Sequence, residues 1–401
     1  MRNQLTLGLM AAATLAAGTL PAAVLSKGPY LIYPNTPSQM QVRWQADATP
    51  ASSRVDWGTN ATYGQSSGPL TESGAARDQH QFDCRITGLT PATRYYYRVL
   101  VDAQTNTGSF VAAPAASATR VTFYAFGDTR SYPADMNRVA TALLADLQAD
   151  PDRRQTFSLH VGDWVGADAE SNWAGEFFNR AYAGNQQLLA QLPVMGCRGN
   201  HEGAAVCYQK YWPYGGSGNC YYSFDYGPVH FTVIDQYIAY TPGSAQYTWL
   251  TNDLAASARP FKIAVYHQPA YSGGATGHAN DRGAQTNLCP VFAQYGVQVA
   301  VNGHNHYYAR CSKDGLQHLT TGGGGAPLMR PDPAAPGLVT AAQTLEFLRF
   351  EVDGPVMTVT AISTNTLNQV IDSFQVHPIA APGLTAQPTN GPAAIGRPLD
   401  Q

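Results

Sequence analysis

Val121-Thr122-Phe123-Tyr124-Ala125-Phe126-Gly127-Asp128-Thr129-Arg130 is a run of β-branched and aromatic residues that breaks, through a glycine, into a carboxylate. A run without polar alternation predicts a strand covered on both faces. Two more runs share the texture, Thr156 to Val161 ahead of Gly162-Asp163 and Ile263 to Tyr266 ahead of His267, and helical spacing from Asn137 to Gln148 separates the first two. Strands alternating with helices predict an α/β or mixed sandwich domain. In such domains the strand ends carry the ligand-binding side chains.

In order, those ends are Gly127-Asp128-Thr129-Arg130, Gly162-Asp163-Trp164-Val165-Gly166, Gly199-Asn200-His201-Glu202, Val265-Tyr266-His267 and Gly303-His304-Asn305-His306. Singly, Gly-Asp or Asn-His is ordinary turn chemistry, because Asp and Asn bond their own backbone. Together they gather carboxylate, amide and imidazole groups, a donor set suited to Zn, Mn or Fe. The order, the glycines and the intervals of 35, 37, 67 and 37 residues between Asp128, Asp163, Asn200, His267 and His304 resemble the five-block pattern of metallophosphoesterases. Gly303 to Arg310 (Gly-His-Asn-His-Tyr-Tyr-Ala-Arg), with a glycine-rich strand near Gly322, is similar to the purple acid phosphatase branch in particular. The resemblance runs from about Gly28 to Val376.

The resemblance implies a fold of the α+β, αββα kind, a four-layer metallophosphatase sandwich behind an N-terminal all-β fibronectin-like sandwich. It implies two divalent or trivalent metal ions, Fe, Zn or Mn, with Asp163 bridging both, Asp128 and His306 on the first, and Asn200, His267 and His304 on the second. It implies an enzyme that hydrolyses phosphomonoesters by attack of a metal-bound hydroxide, with His201 protonating or orienting the leaving oxygen. His278, in the loop from Ser272 to Asn280, stands roughly where the branch keeps a phosphate-contacting histidine, and a plain surface-loop position is equally open. The glycines are expected to let the backbone turn sharply beneath each ligand. A phosphodiesterase or nucleotidase on the same site is the alternative enzyme, and a non-catalytic binding protein with a degraded first metal site is the alternative outside enzymes.

The sequence departs from the pattern at two positions. Ordinary metallophosphoesterases place a histidine two residues after the first aspartate, and purple acid phosphatases place a tyrosine three residues after the second; here the slots hold Arg130 and Gly166. The first metal keeps only Asp128, Asp163 and His306, and without a tyrosinate the protein is expected to be colourless or weakly coloured. Arg130 has two accounts: its guanidinium fills space near a weakened first site and leaves one tightly bound metal, or it turns outward and clamps the substrate phosphate.

Outward from this core, Met40 to Trp44, Arg54 to Trp57, Gln81 to Ile86 and Tyr95 to Val101 are short strand-like segments punctuated by Pro, Gly, Asn and Ser. Leu89-Thr-Pro-Ala-Thr-Arg-Tyr95 resembles the corner tyrosine of fibronectin type III domains, and Trp44 is the expected core tryptophan. Ala112 to Ala118 is a Pro/Ala/Ser linker. Leu345 to Val352, Val356 to Ile362 and Val370 to Val376 are closing strands, joined at Asp353-Gly354 and at a polar turn near Asn365. The expected division is an export signal over 1–26, a fibronectin-like domain over 27–117, the metallophosphoesterase domain over 118–378 and a Pro/Ala/Gly-rich tail over 379–401.

Arg2, the apolar run from Leu5 to Ala17 and the small residues Ala22, Ala23 and Ser26 read as a secretory signal cut between Ala23 and Lys27. The destination is periplasmic or extracellular, with no membrane span after cleavage. Cys84, Cys197, Cys207, Cys220, Cys289 and Cys311 suit an oxidising compartment without fixing any pairing, and none has a CxxC spacing. A net charge of -3 without a basic run excludes the electrostatic footprint of a nucleic-acid or anionic-membrane binder, though not a small phosphate ester. The sequence carries nothing on oligomeric state. His80, His160, His230 and His318 are expected in packing or surface roles, and the aromatic clusters at Tyr221 to Tyr226 and Tyr307-Tyr308 in the core or cleft wall.

Overall fold

The computed structural model describes residues 22–73, 80–215, 218–274, 278–364 and 368–379. The expected export segment through residue 21, the tail beyond residue 379 and the turn near Asn365 lie outside the described residues.

The first domain is a two-sheet β-sandwich. Strands β1 (Leu25–Ile32), β2 (Met40–Ala46), β3 (Ser53–Gly58), β4 (Gln65–Ser66), β5 (Gln81–Ile86), β6 (Arg94–Val101) and β7 (Gln104–Val111) make a three-stranded sheet, β1-β2-β5, and a four-stranded sheet, β4-β3-β6-β7. Alternation puts Val42, Trp44, Phe82, Tyr97, Val99 and Phe110 between the sheets, with Trp44 fully buried and stacked on Phe82. The Tyr95 hydroxyl accepts the Thr90 N–H at 3.0 Å, tying the loop to β6 as the corner motif predicts. Ala23 and Leu25 are buried in this core, so the domain's packing begins ahead of the expected boundary at residue 27.

The second domain begins with parallel neighbours β8 (Arg120–Phe126), β9 (Ser158–His160) and β10 (Val194–Gly196). Next come β11 (Tyr222–Tyr226), β12 (Val229–Val233), β13 (Phe261–Val265), β14 (Val299–Asn302), β15 (Tyr308–Lys313), β16 (Leu316–Thr321) and β17 (Leu338–Ala342), which form a seven-stranded sheet in the order β11-β12-β13-β14-β16-β15-β17. Last, β18 (Glu346–Asp353), β19 (Val356–Ser363) and β20 (Gln369–Val376) return antiparallel beside β8 and complete a six-stranded sheet, β10-β9-β8-β18-β19-β20. The glycine-rich segment after β16, expected as a strand, is a loop.

Four layers follow from the side chains of β8. Phe123 and Ala125 point into the seam between the sheets, where Phe123 stacks on Phe350 at 4.6 Å and meets Phe231 of the other sheet edge-on at 5.1 Å. Tyr124 and Phe126 point the other way, onto α1 (Pro133–Ala149) and α4 (Ala183–Leu189), through Val139, Leu143, Leu147 and Leu188. The second sheet is covered by α6 (Ala245–Ala256), α7 (Arg282–Asn287) and α8 (Cys289–Tyr295), through Leu250, Leu254, Leu288 and Phe292. The smaller helices α2 (Pro151–Arg154), α3 (Glu170–Gly175) and α5 (Val206–Tyr211) lie in the loops. This is the αββα sandwich behind an all-β domain that the resemblance implies.

One apolar cluster joins the two domains, taking Tyr30, Ile32 and Tyr33 from the first and the seam between the sheets from the second. Tyr30 of β1 is fully buried against Phe178 at 5.1 Å and Trp212 at 5.0 Å, and Tyr33 against Tyr226 at 5.4 Å. Lys27 pairs with Glu170 across the junction. All six cysteines are free thiols, and Cys84 is a core residue of the first domain. Among the described residues no helix is long and apolar enough to cross a membrane.

Candidate metal centre

Three parallel strands of one sheet and two of the other end at a common edge, and the six metal-ligand candidates lie on the loops that leave it. Asp128 follows β8, Asp163 follows β9, and Asn200 with His201 follows β10. His267 follows β13, and His304 and His306 lie between β14 and β15. The ligand atoms of Asp163, His267 and His304 fall within 4.8 Å of one another, and so do those of Asp128, Asp163 and His306. Asn200 Oδ1 lies 3.2 Å from His267 Nε2 and 3.1 Å from His304 Nδ1. The structure brings all six together, with Asp163 common to both groups.

The local backbone is bent to do this. Asp128 (φ 56°), Asp163 (φ 54°) and His304 (φ 68°) occupy the left-handed region, where a non-glycine residue is uncommon and strained. The sequence expectation had assigned the turning to the glycines. Of Gly127, Gly162, Gly199 and Gly303, only Gly162 has a positive φ; the others are needed because they lack a Cβ. A Cβ on Gly199 would lie 2.1 Å from Asp163 Oδ1, and one on Gly303 would lie 2.3 Å from Asp128 Oδ2.

Backbone carbonyls fix the imidazoles. His267 Nδ1 donates to Val161 O at 2.8 Å and His306 Nδ1 to Pro327 O at 2.8 Å, which turns each Nε2 toward the centre. Burial, reinforced by the positive charge of His267, lowers His304 to about 3, and burial foremost lowers His306 to about 4, so both are neutral and keep a lone pair. Burial would lower His267 too, but Asp163 Oδ1 at 3.2 Å more than offsets it and raises the group to about 9. Asp163 is depressed against the pull of its burial, chiefly by that histidine, while Asp128 is raised by burial. Two neutral imidazoles, an amide oxygen and two carboxylates suit a divalent cation, which would take the place of the proton that Asp163 holds on His267.

The other candidates are also at this edge. His201 Nδ1 donates to Gly166 O at 2.7 Å, leaving Nε2 toward the centre, 3.7 Å from Asp163 Oδ2. His278 Nδ1 donates to His304 O at 2.9 Å, and its ring lies 4.3 Å from that of His304. Arg130 turns inward: Nε is 3.4 Å from Asp163 Oδ2 and Nη2 is 3.3 Å from His306 Nε2. His160, expected in a packing or surface role, is buried and stacks on Trp164 at 3.8 Å.

Two residues were missed. Glu202 stands in the third block but had no role; its buried carboxylate accepts N–H bonds from Asp163, Trp164, Val165 and Gly199 and so joins the loop of the shared aspartate to that of Asn200. Burial, then Asp163, raises it, and the N–H bonds from Gly199 and Val165 oppose that and favour the carboxylate. A charged residue one step past a ligand was the signal available. Tyr237, whose hydroxyl is buried without a hydrogen-bond partner, is raised by burial and then by Asp163, and nothing in its sequence context marks it.

Residues 121–308 match the family Calcineurin-like phosphoesterase, and residues 27–119 match Purple acid Phosphatase, N-terminal domain. The chain is 31% identical to purple acid phosphatase 15 of Arabidopsis thaliana over 143 residues, 32% of this chain and 27% of that protein. It is 28% identical to a purple acid phosphatase of Glycine max over 293 residues, 67% of this chain and 61% of that one. The match thus spans well under two thirds of several such relatives, 27%, 36% and 38% of their length. The structure of the purple acid phosphatase PPD1 from yellow lupin (Lupinus luteus) superposes with a TM-score of 0.72 at 20% identity, covering 89% of this chain and 74% of that one, which shows the same fold.

Proposed function

Because this chain joins a purple acid phosphatase N-terminal domain to a calcineurin-like phosphoesterase domain of the purple-acid-phosphatase-like kind, we propose that it hydrolyses small phosphomonoesters at the edge that carries Asp163. The observation that carries this is the pair of ligand groups sharing Asp163, with the free nitrogen of His201 beside it. Divalent or trivalent Fe, Zn or Mn held there would supply Lewis acidity and a water made acidic enough to attack near neutral pH.

The chain's own residues would do the rest. Asn200, His267 and His304 with Asp163 make the more complete ligand set, and Asp128 with His306 the lesser one. With its Nδ1 proton committed to Gly166 O, His201 donates from Nε2 only as imidazolium, and that proton goes to the departing alkoxide or phenoxide oxygen. His278, whose ring lies 4.3 Å from that of His304, would contact the phosphate.

Initial rates on an aryl phosphate and its bis-aryl ester test this. Wild-type protein is expected to favour the monoester, with Asn200→Ala or His201→Ala about 10²-fold slower or worse. Unchanged activity in Asn200→Ala rejects the mechanism, a preference for the bis-ester makes the protein a diesterase, and no hydrolysis with Zn, Mn, Fe or Ca added makes it a binding protein. Export to the periplasm or outside is part of the proposal, with the cut at the start of the Ala23 to Lys27 window, since Leu25 and Lys27 are built into β1. N-terminal sequencing of the exported protein checks it.

A further inference from the structure

We propose that Arg130 is a built-in cation at the first metal position, so that the centre holds one metal ion, at Asp163, Asn200, His267 and His304. This rests on the phosphoesterase assignment and decides how many ions that site takes. The first ligand group consists of Asp128, Asp163 and His306. Two of its three members already face the guanidinium, Asp163 Oδ2 at 3.4 Å and His306 Nε2 at 3.3 Å. His306 donates from Nδ1 to Pro327 O, so the nitrogen facing Arg130 is the one with the lone pair a metal would need, and it accepts the Nη2 hydrogen instead.

The arginine is held inward. Nη1 donates to Ser131 Oγ at 3.3 Å, and the Ser131 N–H, on a residue with φ 74°, donates to Glu176 Oε2 at 2.8 Å. The same Glu176 oxygen accepts the Gly166 N–H at 2.8 Å, which pins the Arg130 turn to the Asp163 loop. The side chain is 16% exposed, and Nε is buried with no hydrogen-bond partner of its own. An arginine side chain is a permanent cation, so a dication against it meets a repulsion that only expulsion of the arginine relieves. One hydrogen remains on each Nη, enough for a forked contact to two oxygens of a phosphate.

The test is metal content. Apo protein is saturated with Zn or Mn, freed of unbound metal and measured as ions per chain by mass spectrometry of the elements, with circular dichroism confirming the fold. One ion per chain is expected for wild type and two for Arg130→Ala and for Arg130→Gln, the latter guarding against a misfolded alanine variant. His306→Ala should leave the intact chain at one ion, take the Arg130→Ala chain from two back to one, and so locate the second ion. His267→Ala should take the intact chain to none. Two ions in wild type, or one in both Arg130 variants, overturns the proposal. No ion in wild type overturns it together with the proposed function, whereas one ion without hydrolysis overturns only the function.

Discussion

Glu202 shows most directly what a single residue does here. Its Oε1 accepts from Trp164 and Val165 and its Oε2 from Asp163 and Gly199. An amide has one acceptor oxygen, so Glu202→Gln would leave two buried N–H groups facing another donor, at about 1–3 kcal/mol each. The variant is expected to lose about 2–6 kcal/mol of stability in a denaturant titration and to bind metal more weakly, because Asp163 is no longer held; an unchanged midpoint would contradict this. The metal candidates themselves were legible because their types, order and intervals resemble the metallophosphoesterase pattern. Glu202 and the carbonyls of Val161 and Pro327 were not, because acceptance of a hydrogen bond leaves no mark on residue identity. Gly166 contributes only backbone to the site, and burial and carboxylate charge hold Tyr237 in its phenol form. Iron-loaded protein is therefore expected to show no tyrosinate absorption band in its visible spectrum.

At the scale of elements, β11, β12 and α6 meet in a charge clamp. His230 on β12 bonds Asp225 of β11 through Nδ1 at 2.8 Å and Asp253 of α6 through Nε2 at 3.0 Å, and Arg259 also bonds Asp225. The clamp reaches the first domain, because the Asp225 backbone meets Tyr33 and Asn35. Burial alone would lower His230, but the bonds to Asp225 and Asp253 outweigh it and raise the group above its ordinary 6.5. A raised histidine stabilises fully below its unfolded value, and that contribution disappears as pH rises through the folded one. His230→Gln should thus lower the melting temperature relative to wild type at about pH 5.5, by the equivalent of about 1 kcal/mol, with the gap closing toward about pH 9. A gap that widens with pH would show the opposite sign. From the sequence His230 was only a packing or surface histidine, since Asp225 is five residues away and Asp253 twenty-three. The strands around it were easier: β8, β18 and β19 carry long buried runs, whereas helices α3, α5 and α7, each six residues long, are too short for periodicity to show.

Across the whole molecule the sandwich domain is docked by an apolar contact in which Tyr30 is central, its hydroxyl donating to Tyr211 O at 3.2 Å. Tyr30→Ala should cost about 3–5 kcal/mol and split one calorimetric transition into two, with faster proteolysis in the 112–118 linker; a single transition would mean that the domains remain coupled without it. Two domains and a linker were readable from composition, but the apolar cluster that joins them was not, because Tyr30 and Trp212 stand 182 residues apart. The provenance of the ligands has a further consequence. Asp128, Asp163 and Asn200 come from loops of one sheet, while His267, His304 and His306 come from the other. A chain severed in the 257–260 connection before β13 would leave three candidates on each fragment and a finished centre on neither. Metal capture would then return only when the halves find each other, which makes this edge a natural reporter for fragment complementation.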